Sequence, residues 1–169
     1  SKRPLWGIPQ LSSSSPADNA IGVVVTSNIA LTFNKDVTAG SGNIKLYKSD
    51  NTLVQSFDVS SDVTFLGTAV RINPTSDFDS SQGYYVQVET TAINDLAGNA
   101  YAGISDTTTL SFTAADIAGP TLASSTPADD ATGIAVNSNI VLTFNETVQA
   151  GSGNITLFKS DNTQVEVFD

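Results

Sequence analysis

Apolar and polar residues alternate along much of this chain with a period of two, which is typical of half-buried β-strands. In the segment NIALTFN, Ile29, Leu31 and Phe33 fall on one face and the residues between them on the other. Seven such segments occur in about 110 residues, separated by turns rich in Gly, Asn, Asp and Ser. They lie around residues 23–25, 29–33, 44–46, 54–57, 70–72, 84–88 and 110–112.

This pattern predicts an all-β protein whose complete unit is a seven-stranded antiparallel immunoglobulin-like β-sandwich. The alternation slips once, between Val54 and Phe57, where an odd spacing separates two apolar residues. Because one extra residue in a strand moves every later side chain to the other face, a β-bulge is expected there.

An internal repeat organises the chain. Residues 11–58 align without a gap to residues 122–169, at an offset of 111 residues and with 32 of 48 positions identical. Pro9 and Pro120 also correspond. We therefore predict a complete Ig-like repeat at residues 9–119 and the N-terminal half of a second Ig-like repeat at residues 120–169. Residues 1–8 are a leader or the end of a preceding segment.

A sandwich cut after its fourth strand exposes the apolar inner face of what remains, so residues 120–169 are not expected to be stable alone. Three alternatives are open for this half repeat. The chain is a truncated product of a longer array, or the visible part of a larger protein, or the half repeat is completed by strand exchange with other copies of the chain. The break at Asp169 falls inside a predicted strand, which favours truncation. The segment SKRPLWGI at the start of the chain has three interpretations that the sequence does not distinguish. It is a cloning remnant, the end of a preceding domain or a docking peptide.

The amino-acid composition excludes several classes of function. The 169 residues include 7 Lys+Arg and 17 Asp+Glu, a net charge of −10, and no His, Cys or Met. A Ser-His-Asp triad, a Cys nucleophile, a thiolate or imidazole zinc site and disulfides are therefore excluded, and we expect no enzyme. The acidic balance argues against nucleic acid as a partner. Because no apolar run approaches the roughly 18 residues of a membrane span, we also expect no membrane insertion.

Several segments resemble the bacterial Ig-like domain of S-layer and other giant surface proteins. The motifs PAD, NI-x-L-x-F-N and D-x-AGN occur in the expected order, within SSSPADNAIGV, SNIALTFNKDV and GYYVQVETTAINDLAGNAYAG. The likeness covers residues 9–119 in full and residues 120–169 by the first half of the domain. The resemblance implies a secreted, extracellular protein of the cell surface, and it implies no chemistry.

The resemblance also implies a structural or adhesive repeat module, a spacer in a tandem array whose partners are neighbouring repeats of the same polypeptide. Surface glycans are a further candidate partner. One alternative is a non-catalytic accessory module, for carbohydrate binding or spacing, of an extracellular polysaccharide-degrading enzyme. Another is a strand-exchanging subunit of a surface polymer.

Asp supplies 14 of the 17 acidic residues, and several Asp and Asn residues fall in loops predicted at one end of the sandwich. Calcium binds about six to eight oxygen ligands, which such loops can supply. A calcium site that rigidifies the array is therefore one interpretation, with calcium as the candidate cofactor. Its candidate metal ligands are Asp18, Asn94, Asp95, Asn99, Asp116 and Asp129.

The segment Asp95-Leu-Ala-Gly-Asn99 has a second interpretation, as a tight turn. In such a turn Asp95 accepts hydrogen bonds from backbone N–H groups, and Gly98 takes a positive φ. Both interpretations stay open on the sequence alone.

Two further sets of residues were candidates for carbohydrate chemistry. Asp77 and Asp79 form an acidic pair, but their Ser/Asp context is typical of solvated turns. Tyr84, Tyr85 and Tyr101 could form a sugar-binding platform, but a period of two places one of the first two in the core. We therefore expect turn and core roles for these residues.

Overall fold

The structure is a computed structural model that describes residues 7–169 of the chain. The chain forms two compact units, Ser1–Ile117 (unit 1) and Ala118–Asp169 (unit 2). The described residues form fifteen β-strands, which confirms the predicted all-β class. Within residues 7–169, no helix is long and apolar enough to cross a membrane. Residues 1–6 of the predicted leader lie outside the described residues.

The described residues of unit 1 form eleven strands in three sheets. A four-stranded sheet has the order β1-β3-β8-β7, a five-stranded sheet has the order β2-β11-β9-β5-β6, and β10 pairs with β4 in a short ribbon. The strands are β1 (Leu11–Ser15), β2 (Ala20–Val23), β3 (Ile29–Phe33), β4 (Val37–Ala39), β5 (Asn43–Lys48), β6 (Leu53–Asp58), β7 (Val63–Leu66), β8 (Ala69–Ile72), β9 (Gly83–Val88), β10 (Ile93–Asp95) and β11 (Ser111–Ala114).

The alternating apolar residues of both larger sheets meet in one hydrophobic cluster. In β3, Ile29, Leu31 and Phe33 are buried while the residues between them are half-buried. Each strand thus contributes one face to the core, as a period of two requires. The apolar positions predicted to alternate in β3, β5, β8 and β9 are buried, whereas Val54 of β6 is 40% exposed.

The structure differs from the prediction in strand count and in one pairing. Strands β1, β4, β7 and β10 were not predicted, and the first predicted strand lies at Ala20–Val23 instead of 23–25. Strands β4 and β10 have only three residues each, too few for an alternating pattern to be visible. The pairing of β2 with β11 is parallel, so the five-stranded sheet is not purely antiparallel.

The predicted bulge in the segment 54–57 is confirmed. Along the β5–β6 pair, Leu46 lies opposite Gln55 and Tyr47 lies opposite Leu53, which leaves Val54 without an opposite residue. This extra residue explains the slip in the alternation.

Unit 2 consists of two hairpin-like strand pairs. Strands β12 (Leu122–Thr126) and β13 (Val141–Phe144) form one, and β14 (Ile155–Phe158) and β15 (Gln164–Phe168) form the other. Their registers repeat those of β1–β3 and β5–β6, including the position of each register shift. The internal repeat therefore encodes the same local structure twice.

The two units differ strongly in how much of their aligned side chains is exposed. Leu31 of β3 is 0% exposed, whereas the aligned Leu142 of β13 is 39% exposed. Ile44 of β5 is 1% exposed and the aligned Ile155 is 63% exposed. Identical side chains are therefore core residues in unit 1 and surface residues in unit 2.

The aligned leucines provide a matched test of this difference. We expect Leu31→Ala to lower the free energy of unfolding by about 3–5 kcal/mol, because it leaves a cavity in a closed core. The aligned Leu142→Ala should cost less than about 1 kcal/mol, because its side chain has little buried contact to lose. Urea denaturation followed by far-ultraviolet circular dichroism measures both values. Equal losses in the two variants would contradict the burial described here.

Candidate functional site

Asp95 is the one buried charged side chain in the part of the chain that the structure describes, with 4% of it exposed. It is the last residue of β10, opposite Val37 of β4. A carboxylate is costly to bury without partners, so its hydrogen bonds decide what this position can do.

The Asp95 carboxylate organises the turn that follows it. Its Oδ1 accepts hydrogen bonds from the backbone N–H groups of Ala97 at 3.0 Å and Asn99 at 2.7 Å. Its Oδ2 accepts one from Asn99 Nδ2 at 3.0 Å. Gly98 has a φ of 84°, a conformation that glycine adopts without strain. The structure therefore has the tight turn of the second interpretation.

Lys35 supplies the charge that balances this carboxylate. Its ammonium lies 3.2 Å from Asp95 Oδ2 and also donates to the carbonyl oxygen of Gly7 at 3.2 Å. The β3–β4 turn, the β10 turn and the incoming chain are thus tied together at one end of unit 1. We did not predict Lys35 from the sequence. The sequence contains one indication that this position matters. The two repeats carry opposite charges there, because Lys35 of the first repeat aligns with Glu146 of the second.

These contacts make Asp95 a stronger acid than a free aspartate side chain. The hydrogen bond from the Asn99 side chain, assisted by the Asn99 backbone N–H and by Lys35, lowers the pKa of Asp95 from 3.8 to about 2. The carboxylate therefore stays ionised well into the acidic range.

The six predicted calcium ligands do not gather into one cluster of contacts. Asn99 contacts Asp95, and Asn94 lies in β10 opposite Thr38. Asp18 accepts a hydrogen bond from the backbone N–H of Ser111 at 2.9 Å.

The remaining two ligand candidates lie elsewhere in the chain. Asp116 accepts a hydrogen bond from Ser80 Oγ at 3.1 Å. Asp129 is exposed in a turn of unit 2, at the position that aligns with Asp18.

Calcium binding stays a prediction. Among residues 7–169, no three or more Asp or Glu side chains form a group that could hold a metal ion. At Asp95, both oxygens already accept hydrogen bonds from N–H donors, which a cation would have to displace. The structure favours the turn interpretation of the D-x-AGN motif.

Other Asp residues have the same structural role as Asp95. Asp106 accepts hydrogen bonds from the backbone N–H groups of Thr108 and Thr109, and these bonds lower its pKa. Asp50 accepts one from Thr52 in the β5–β6 turn, which lowers the pKa of Asp50 in the same way. The excess of Asp over Glu thus follows from turn chemistry, because the short Asp side chain reaches nearby N–H groups.

The tyrosines are packed into the fold. Tyr84 lies in the core, and its hydroxyl accepts a hydrogen bond from the backbone N–H of Asp79 at 2.8 Å. Tyr85 stacks on Tyr47 with ring centroids 5.0 Å apart, and Tyr101 packs edge-on against Phe33. Because Tyr84, Tyr85 and Tyr101 are all at least 92% buried, they do not form an exposed platform.

The acidic pair of the segment SDFDSS lies on the surface. Asp77 and Asp79 are exposed, and Asp79 forms an ion pair with Lys48 at 2.7 Å. Between them, Phe78 is buried against Tyr84 and Phe112. The two exposed Asp residues therefore lie on either side of a Phe residue that packs in the core.

Comparison with known proteins places the chain in a family. The sequence model of the bacterial Ig-like domain matches residues 7–114 and again residues 116–168. The chain belongs to the bacterial Ig-like domain family. The first match covers 108 residues and the second covers 53. No curated protein sequence matches the chain.

Three solved structures that match this chain have low sequence identity to it. CopC from Methylosinus trichosporium OB3b is 12% identical, with a TM-score of 0.48 over 66% of this chain and 97% of that chain. The S-layer protein rSbsC(31-844) is 17% identical, with a TM-score of 0.41 over 94% of this chain and 19% of that one. The N-terminal part of the bacterial S-layer protein SbsC is 18% identical, with a TM-score of 0.42 over 94% and 32%. This chain spans less than a third of either S-layer chain.

The lowered pKa of Asp95 predicts a defined pH dependence of stability. A carboxylate whose pKa is lower in the folded than in the unfolded state stabilises the fold above the unfolded value, and this contribution is lost as pH falls through the folded value. For Asp95 the window therefore runs from about pH 4 down to about pH 2. We expect Asp95→Asn to lower the Tm by roughly 5 °C or more at pH 6.

The difference in Tm between wild type and Asp95→Asn should shrink as pH is lowered through this window. Differential scanning calorimetry at half-unit pH steps measures it, with the exposed Asp77→Asn as the control. A difference that stays constant from pH 6 to pH 2 would rule out Asp95 as the titrating group.

Proposed function

We propose that this protein is a mechanical spacer, a structural repeat module of a large secreted bacterial cell-surface protein. Membership of the bacterial Ig-like domain family supports the class of protein, and the internal repeat supports a tandem array. The observation that carries the mechanical role is the parallel pairing of β2 with β11, the last strand of unit 1.

The chain enters and leaves unit 1 at opposite ends. It enters beside the β3–β4 turn, where Gly7 contacts Lys35. It leaves beside the β8–β9 connection, where the backbone N–H of Ile117 donates to Ser80 Oγ at 2.9 Å. Tension along an array therefore acts along the strands of this unit.

Strands β2 and β11 lie side by side and run parallel to each other. The backbone N–H of Asn19 donates to the carbonyl of Ser111, and that of Ala115 donates to the carbonyl of Val23, both at 2.7 Å. Pulling the two ends apart moves parallel neighbours in opposite directions along their axes. All hydrogen bonds between them are then strained together, whereas a hairpin pulled from its open end loses them one at a time.

Asp18 strengthens this connection. Its Oδ1 accepts hydrogen bonds from both the backbone N–H and the hydroxyl of Ser111, the first residue of β11. A side chain just before β2 is thus tied directly to the last strand. This contact gives a structural role to a residue predicted as a metal ligand.

An accessory carbohydrate-binding module is the alternative function, and an adhesive role within the array is a related one. Tyr84, Tyr85 and Tyr101 are buried, so the tyrosine platform considered for carbohydrate binding is not exposed. The spacer is therefore the function that we develop here.

Single-molecule stretching tests the mechanical role. We expect unit 1 to unfold in one step, with a gain in contour length of roughly 35 nm for a repeat of about 111 residues. Asp18→Ala should lower the unfolding force because it removes a bond between the two pulled strands. The matched control is Asp62→Ala, which removes a carboxylate that accepts a backbone N–H outside this pair.

Each of these two variants should lose about 1 kcal/mol of stability at equilibrium. Only Asp18→Ala should unfold at lower force. Equal unfolding forces for Asp18→Ala, Asp62→Ala and wild type would contradict a mechanical connection between β2 and β11.

Location at the cell surface is tested separately. Antibodies raised against unit 1 should label intact cells of the source bacterium without permeabilisation, and brief protease treatment of those cells should remove the label. Labelling that requires permeabilised cells would overturn the surface location.

A further inference from the structure

A groove lies over the five-stranded sheet of unit 1, on the face that points away from the hydrophobic core. Its volume is about 430 Å³, and residues of β2, β9 and β11 line it together with Ser49 and Thr107. From β9 and β11 it is lined by residues that alternate with core positions, among them Tyr85, Ser111 and Thr113. Small-molecule sites have volumes of about 300–1,000 Å³, so this groove has the size of a binding site.

Gly83 leaves part of the groove open. It is the first residue of β9 and lies opposite Thr113 of β11. A Cβ atom at this position would lie 3.1 Å from Ser49 Oγ and 3.3 Å from Ser49 Cβ, so a side chain would crowd the space between these residues. The φ of Gly83 lies outside the left-handed region, so the backbone conformation does not require glycine. A glycine in a strand often marks a place where a ligand approaches closely.

The side chains that line the groove are uncharged. No Asp, Glu, Lys or Arg is among its described lining residues, although the chain has a net charge of −10. The hydroxyls of Thr107 and Thr113 form no hydrogen bond with another described residue, so each can donate to and accept from a ligand. Ile21, which is 84% exposed, adds apolar surface. These groups suit an uncharged ligand that has both hydroxyl groups and apolar C–H groups.

The floor of the groove is already formed. Strand β9 is paired with β5 and β11, and β11 is paired with β9 and β2. The ring of Tyr85 stacks on Tyr47, and its hydroxyl donates to Asn51 Oδ1 at 3.0 Å. A site that is ordered before binding loses little entropy when the ligand enters. Because both edges of β9 and β11 are paired, a peptide strand has no free edge to join on this floor.

We propose that this groove binds an uncharged saccharide of one or two sugar units. The hydroxyls of Thr107 and Thr113 exchange hydrogen bonds with the sugar hydroxyls. The space beside Gly83 admits the sugar ring, and Ile21 contacts its C–H groups. This site adds a binding function to the spacer and does not depend on the mechanical role.

Titration of the full chain of 169 residues with defined sugars, followed by NMR of the backbone amides, tests the proposal. The probes are the neutral disaccharides maltose, cellobiose and N,N′-diacetylchitobiose. We expect at least one of them to shift the amides of Gly83, Ser111 and Thr113 saturably. Glucuronic acid, which is charged, and an uncharged blocked tripeptide should cause no saturable shift.

Two variants and a matched control locate the site. Gly83→Ala should weaken binding of the sugar by roughly tenfold, because the added methyl group occupies the groove. Thr113→Ala should weaken it by about fivefold, through the loss of one hydrogen bond. The control is Thr32→Ala, because Thr32 is also half-buried in a strand paired on both sides, but in the other sheet. It should leave binding unchanged, and the Tm of each variant verifies that it is folded.

The proposal is overturned if none of the three disaccharides binds, or if saturable shifts are confined to residues outside the groove. Equal affinities of the Thr113→Ala and Thr32→Ala variants would also contradict it. Binding of the tripeptide or of glucuronic acid as tightly as the best disaccharide would show that the ligand class is wrong. None of these results bears on the force that unfolds unit 1, so failure of this proposal is distinguishable from failure of the spacer function.

Discussion

The structure depends on the burial of one apolar face by another. Ile29, Leu31 and Ile44, from the first half of the repeat, lose almost all their contact with water because β8, β9 and β11 close over them. Apolar burial contributes about 25 cal/mol per Å² and is the main favourable term in folding. Unit 2 shows the same local structure without this closure, so local turns and strand pairs do not by themselves make a core.

Polar residues complete this arrangement at its ends. The Asp95 carboxylate holds the β10 turn and, through Lys35, the β3–β4 turn and the incoming chain. Asp18 likewise joins the start of β2 to the start of β11 through its hydrogen bond from Ser111. These contacts fix where the chain enters and how its last strand is held, which are the features that a spacer under tension requires.

The alternation of apolar residues was enough to predict the all-β class, the core positions of β3 and the bulge at Val54. It could not predict β4 and β10, because strands of three residues form only where a neighbour supplies hydrogen bonds. The parallel pairing of β2 with β11 depends on the path of the whole chain. The sequence showed that carboxylate and amide oxygens lie close together in the D-x-AGN motif. It did not show which N–H groups donate hydrogen bonds to them. The contact between Lys35 and Asp95 joins residues 60 positions apart and is set by tertiary packing.

Hydrogen exchange of backbone amides in the full chain tests the central claim most directly, since both halves are measured in one molecule. The amides of β3 and β5 should be protected up to the global unfolding of unit 1, because their strands lie inside closed sheets. The amides of β13 and β14 should exchange faster by orders of magnitude, because their apolar face and one edge are open. Equal protection in the aligned strands of the two units would contradict the account, since it would mean that the first half of the repeat is stable without the second.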